Sequence, residues 1–106
     1  MDAAKKARLE AAGFRVGTVA EFLELTPVES ALVEARVAVS IALRERREAQ
    51  GISQSLLAKR MKSSQSRVAK IEACHRTVSL DLMVRAFFET GASVKDLAAA
   101  IHKVDA

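Results

Sequence analysis

A chain of 106 residues with a net charge of +4 and 50% hydrophobic residues is long enough for one domain with a buried core, and too apolar for a disordered polymer. With no Trp, no Tyr and four Phe it lacks the aromatic platforms of a base-stacking single-strand binder, and one Pro with four Gly leaves little turn punctuation for an all-β fold. A single cysteine, Cys74, excludes an internal disulfide and suits a reducing compartment.

From the start of the chain, Asp2 to Ala12 reads as a short helix stopped by Gly13, followed by a connector, Phe14 to Gly17. Thr18 is placed to cap a second short helix, VAEFLEL. Thr26-Pro27 is a stronger start: a threonine cap, then proline at the first helical position. The helix it opens is expected to run from Pro27 to about Gln50, ended by Gly51. That helix carries two apolar stripes, Val28/Leu32/Ala35/Val39/Leu43 and Val33/Val37/Ile41. A helix on one side of a small core needs only one. The second stripe predicts burial against the N-terminal segment or another chain.

Four serine caps punctuate the rest. Ser53 precedes a helix with Leu56, Leu57, Ala58 and Met61, and Lys62-Ser63 forms a turn. Ser64 precedes a helix whose Val68 and Ile71 face inward. Ser79 opens a helix through Glu89 with Leu80, Leu82, Met83, Val84, Phe87 and Phe88 as core, stopped by Gly91. Ser93 caps a last helix through about Lys103, with Val94, Leu97, Ala98 and Ile101 inward. The expected fold is all-α: five helices over 27–106, with a helical N-terminal extension over 1–26 for dimer or partner contact.

Charge is concentrated in the middle of this order. Residues 1–43 and residues 80–106 each carry a net of −1, whereas residues 44–79 carry +6. A positive surface of that kind attracts phosphates through counterion release. Within it, the segment GISQSLLAKRMKSSQSRVAKIE, Gly51 to Glu72, reads as two short helices joined by a tight polar turn. That is the layout of a helix-turn-helix, whose second helix lies in the DNA major groove with its first turn toward base edges. Gln65, Ser66 and Arg67 occupy that first turn. A glutamine can pair bidentately with adenine and an arginine with guanine. Ser66 is short enough to meet a base edge or a phosphate. Lys70, one turn on, is a point charge suited to phosphate. Gln54 sits at the start of the preceding helix, where its side chain and the free backbone N–H groups can hold a phosphate. Ser64 suits either an N-cap or a phosphate contact. Arg44, Arg47 and Arg76 flank the motif as candidates for backbone contacts.

Catalysis is not expected. His75 and His102 lack neighbours at metal-ligand spacing, and no phosphate-cradling glycine loop or activated nucleophile stands in the sequence. No cofactor is expected. No apolar run approaches the ~20 residues that span a bilayer, and the first residues lack the apolar core of a signal peptide. The expectation is a cytoplasmic protein without a membrane partner.

Leu43-Arg44, Gly51-Ile52-Ser53-Gln54, Leu57-Ala58, Ser64 through Arg67 and Ile71-Glu72 together resemble the Cro/phage-repressor, or XRE, type of helix-turn-helix over about residues 40–90. The resemblance implies a phosphate-contacting position at Gln54, base-facing positions at Gln65, Ser66 and Arg67, and a structural role for Glu72 near the end of the recognition helix. One departure is Ala73-Cys74-His75, where the family usually has a glycine soon after that glutamate; a left-handed Cys74 would cost on the order of 1 kcal/mol relative to Gly. The whole chain, with KKARLEAAGFRVGTVAEFLELTPVE before a long helix, is similar to HigA-type antitoxins. That similarity implies a homodimer on the palindromic operator of its own operon and a toxin partner neutralised by contact. The expected function is a sequence-specific double-stranded DNA-binding repressor that autoregulates a toxin–antitoxin pair. A stand-alone phage-repressor-like regulator and a protein-interaction module with weak DNA binding are the alternatives.

Overall fold

The computed structural model describes residues 25–105. Of the two short helices expected before Thr26, only the last residue of the second, Leu25, is described, and it is not helical; the rest lie outside the described residues. Within them are five helices and no strand: α1 (Pro27–Ala49), α2 (Gln54–Arg60), α3 (Gln65–Glu72), α4 (Leu80–Glu89) and α5 (Val94–Asp105).

Helix starts follow the hydroxyl caps. Thr26 forms a capping box with Glu29: the threonine hydroxyl accepts from the Glu29 N–H at 3.1 Å, and the Glu29 carboxylate accepts from the Thr26 N–H at 3.3 Å. Ser53, Ser64 and Ser79 accept from the N–H three residues on, at 3.0, 3.2 and 3.1 Å. Ser93 accepts from the Asp96 N–H while the Asp96 carboxylate accepts from the Ser93 N–H, an aspartate version of the same box.

Helix ends follow a second shared rule. At α1, Gly51 takes φ 67° and the Ile52 N–H reaches back to the Arg47 carbonyl at 3.2 Å. At α2, Lys62 takes φ 54° and the Ser63 N–H reaches the Ala58 carbonyl; at α3, Cys74 takes φ 54° and the His75 N–H reaches the Lys70 carbonyl. These are Schellman terminations, which satisfy otherwise orphaned carbonyls with a left-handed residue. Cys74 therefore stands where glycine would fit without strain, and the α3–α4 loop keeps a tight exit from the helix.

The core forms where the helices converge: Val39 and Leu43 of α1, Leu57 and Ala58 of α2, Val68 and Ile71 of α3, Val78 of the α3–α4 loop, and Met83, Ala86 and Phe87 of α4. Helix α1 packs on α3, α4 and α5, and α2 on α3 and α4. Polar ties close the far end: Arg46 Nε donates to the Thr90 hydroxyl at 2.9 Å and the Gln50 side-chain amide to the Thr90 carbonyl at 2.8 Å.

Three packing expectations need correction. Helix α1 is buried only in its middle, between Val37 and Leu43. Val39 and Leu43 are inaccessible, and Val37 packs with Val33, Ile41 and Cys74, but Val28 is 79% and Leu32 51% exposed. Phe87 is buried, whereas its neighbour Phe88 is 37% exposed and outside the core, since one helix face cannot bury two successive rings. In α5 the core-facing side chains are Leu97 and Ala100, whereas Val94 is 73% exposed and Ala98 and Ile101 also face outward.

Candidate nucleic-acid interface

Glutamate 72 is the centre from which the site is built. It is buried at the end of α3, and its carboxylate is gripped by Arg47 of α1: Nε donates to one oxygen at 2.6 Å and a terminal nitrogen to the other at 2.9 Å. The same guanidinium donates to the Ile52 carbonyl at 2.9 Å. Hydrogen bonding to Glu72, opposed by burial and reinforced by the carboxylate charge, raises the Arg47 pKa above its ordinary value. A planar fork against a carboxylate sets angle as well as distance. The pair therefore fixes α3 against α1.

From Glu72 the network runs outward. The Gln54 side-chain amide donates to Glu72 at 3.2 Å, which leaves the Gln54 side-chain oxygen pointing away. That oxygen accepts from the Gln65 side-chain amide at 2.6 Å. Gln65 is thus oriented on the first turn of α3 while its own oxygen and second amide hydrogen stay available. Those are the two groups a bidentate adenine contact uses.

Gln65, Ser66, Arg67 and Lys70 are all exposed on α3, and Arg76 and Thr77 on the loop after it. Ser64, Ser66, Arg67 and Lys70 form one wall of an open groove of about 290 Å³; Thr77, Val78 and Leu82 form the other. Ser66 and Arg67 therefore share the groove with Lys70, Gln65 stands outside its lining beside Gln54, and Ser64 has the capping role described above.

The remaining expected positions divide. Gln54 is half-buried and joins the network. Arg44 is exposed on α1, with Nε 3.0 Å from Glu48. Arg47 is not on the surface in the manner of Arg76: only 12% of its side chain is accessible, and it is committed to Glu72. Thr77 and the loop wall were not among the expected site residues, since a lone threonine after a helix carries no sequence signal of its own.

Electrostatics divide the basic residues the same way. Arg44, Arg46, Arg47 and Lys103 have carboxylates within 4 Å. Lys59, Arg60, Lys62, Arg67, Lys70 and Arg76 are exposed and form no ion pair among the described residues. The uncompensated charge of the +6 segment therefore gathers on α2, α3 and the turn and loop beside them.

Comparison with known families agrees with this geometry: a helix-turn-helix family model, HTH_3, matches residues 43–86. Residues 43–86 are a helix-turn-helix domain. It begins at the buried Leu43 of α1 and ends at the buried Ala86 of α4, so it contains both short helices, the turn and the groove. Helix-turn-helix domains of this type are non-catalytic and typical of DNA-binding transcriptional regulators. No curated protein and no solved structure matches the chain. Among the described residues no group of three or more His, Cys, Asp or Glu could hold a metal ion, and no helix is long and apolar enough to cross a membrane.

Proposed function

We propose that the chain is a sequence-specific double-stranded DNA-binding repressor whose α3 reads base edges in the major groove. The observation that carries this reading is the Arg47–Glu72–Gln54–Gln65 network, which ends on an exposed reading turn. Gln65, Ser66 and Arg67 contact bases. Lys70 and Arg76 contact phosphates, with Ser64, Gln54 and Arg44 at the margin of the same contact. Arg47 acts through its grip on Glu72, because reaching a phosphate would leave that carboxylate buried and alone.

The protein binds as a homodimer. Two α3 helices then enter successive major grooves about 34 Å apart on a palindromic operator. The autoregulating antitoxin is the finer reading. It is supported by the resemblance to HigA-type regulators and by the open apolar side chains Val28 and Leu32, which offer a partner protein something to cover. Co-expression with the product of an adjacent short gene, followed by size-exclusion chromatography, tests this part. A stoichiometric complex supports it; separate elution contradicts it.

Selection from randomised duplexes, followed by titration of variants, tests the DNA reading. Arg67→Ala is expected to relax preference at one base position, losing roughly 1–3 kcal/mol of discrimination there. Lys70→Ala is expected to weaken all sequences alike and lower the salt slope by about 1. Equal losses on selected and random DNA for Arg67→Ala would remove its assignment as a base reader.

A further inference from the structure

Arg36 lies on α1, outside the helix-turn-helix match, yet it touches the groove's loop wall. One guanidinium nitrogen donates to the Val78 carbonyl and the other to the His75 carbonyl at 2.9 Å. The His75 carbonyl also accepts the Val78 N–H at 3.0 Å, so the fork closes a small ring of backbone around Arg76 and Thr77. Inside that ring, His75 Nδ1 accepts the Thr77 N–H at 3.2 Å. The loop has no glycine and leaves α3 through the left-handed Cys74. Its outer face carries the exposed Arg76, and Thr77 and Val78 face Arg67 and Lys70 across the groove.

We propose that Arg36 is a positioning residue for DNA binding: by holding the His75 and Val78 carbonyls together it fixes the loop that presents Arg76 to the phosphate backbone. This rests on the DNA reading of the groove. A lysine keeps the charge but replaces the rigid planar fork with a compact ammonium on a flexible stem, whose three donors are not fixed in the geometry of the two carbonyls. Arg36→Lys therefore separates the clamp from the field of a positive charge.

The test titrates wild-type, Arg36→Lys, Arg76→Ala and the double variant against the duplex selected by the wild-type protein, across a salt series. Arg85→Lys, an exposed arginine on α4, serves as the control. Arg36→Lys is expected to weaken binding fivefold or more, with a lower salt slope, while Arg85→Lys changes it less than twofold. In the Arg76→Ala background the substitution at 36 should have less than a twofold effect, because the loop then has no cation left to place. Hydrogen exchange on the free protein should show the Val78 amide opening faster in Arg36→Lys, with the core amides of α4 unchanged. Additive losses, an unchanged affinity, or an unchanged Val78 amide would each overturn the role assigned to Arg36 while leaving the DNA reading intact. Failure of the wild-type protein to select or bind any duplex would overturn the DNA reading itself.

Discussion

At the scale of single residues, the arginines show what decides a role. Arg44, Arg46 and Arg47 stand within four positions of one another and look alike in sequence. Arg47 is turned inward to a carboxylate 25 residues away, whereas Arg44 remains on the surface beside Glu48. The Glu72 role implied by family resemblance has a physical basis here, and it is a demanding one. A buried carboxylate opposite a mostly buried guanidinium is tolerated only as a pair. Glu72→Gln leaves the guanidinium without its counter-charge and is expected to destabilise the fold by about 3 kcal/mol, read from urea unfolding. It should also impair DNA binding, since a glutamine has one acceptor oxygen where Glu72 offers one to Arg47 Nε and a second shared by Arg47 and Gln54, so the hold that orients Gln65 is weakened. A loss below about 1 kcal/mol would show that the pair is not what locks α3.

At the scale of elements, starts and stops are local and therefore legible. A hydroxyl before an apolar run caps the helix that follows, and Thr26, Ser53, Ser64 and Ser79 all do so. Faces were less legible because they depend on which neighbour arrives. The apolar spacing of α5 suggested Val94, Leu97, Ala98 and Ile101, but its alanines make several faces nearly equivalent, and Leu97 with Ala100 meets the core. Two element-scale outcomes follow. Lys62→Gly and Cys74→Gly relieve left-handed backbone at the ends of α2 and α3, and each should raise stability by up to about 1 kcal/mol. Thermal unfolding would show it; a loss at either site would mean that side-chain packing outweighs backbone strain. Acid should weaken the start of α5. Hydrogen bonds from Ser93, its backbone N–H foremost, hold the Asp96 carboxyl below its usual 3.8. A carboxyl depressed in the folded state contributes above its unfolded pKa, and the contribution is lost as pH falls through the folded value. Asp96→Asn should therefore flatten part of the decline in melting temperature below about pH 4. Parallel acid limbs for the two proteins would contradict this.

For the whole molecule, the chain's middle third carries both its charge and its chemistry. The two-helix layout and the turn at Lys62-Ser63 could be seen in the sequence because they are set by spacing within Gly51 to Glu72. The groove could not be seen, since its second wall comes from Thr77, Val78 and Leu82, nor could the Arg36 fork, which spans about forty residues. The basic surplus was visible as a count. Its division into neutralised arginines on α1 and uncompensated cations around α3 is a property of the fold. That division is what turns a basic segment into a directional surface.

The most direct measurement is a fluorescence-anisotropy titration of the protein against a labelled duplex from upstream of its own gene and a shuffled duplex of equal composition, at near-physiological salt. The account predicts a preference of ~10³-fold or more for the upstream duplex. Weak, equal and strongly salt-dependent binding to both would contradict it, leaving a positive surface that meets phosphates without reading bases.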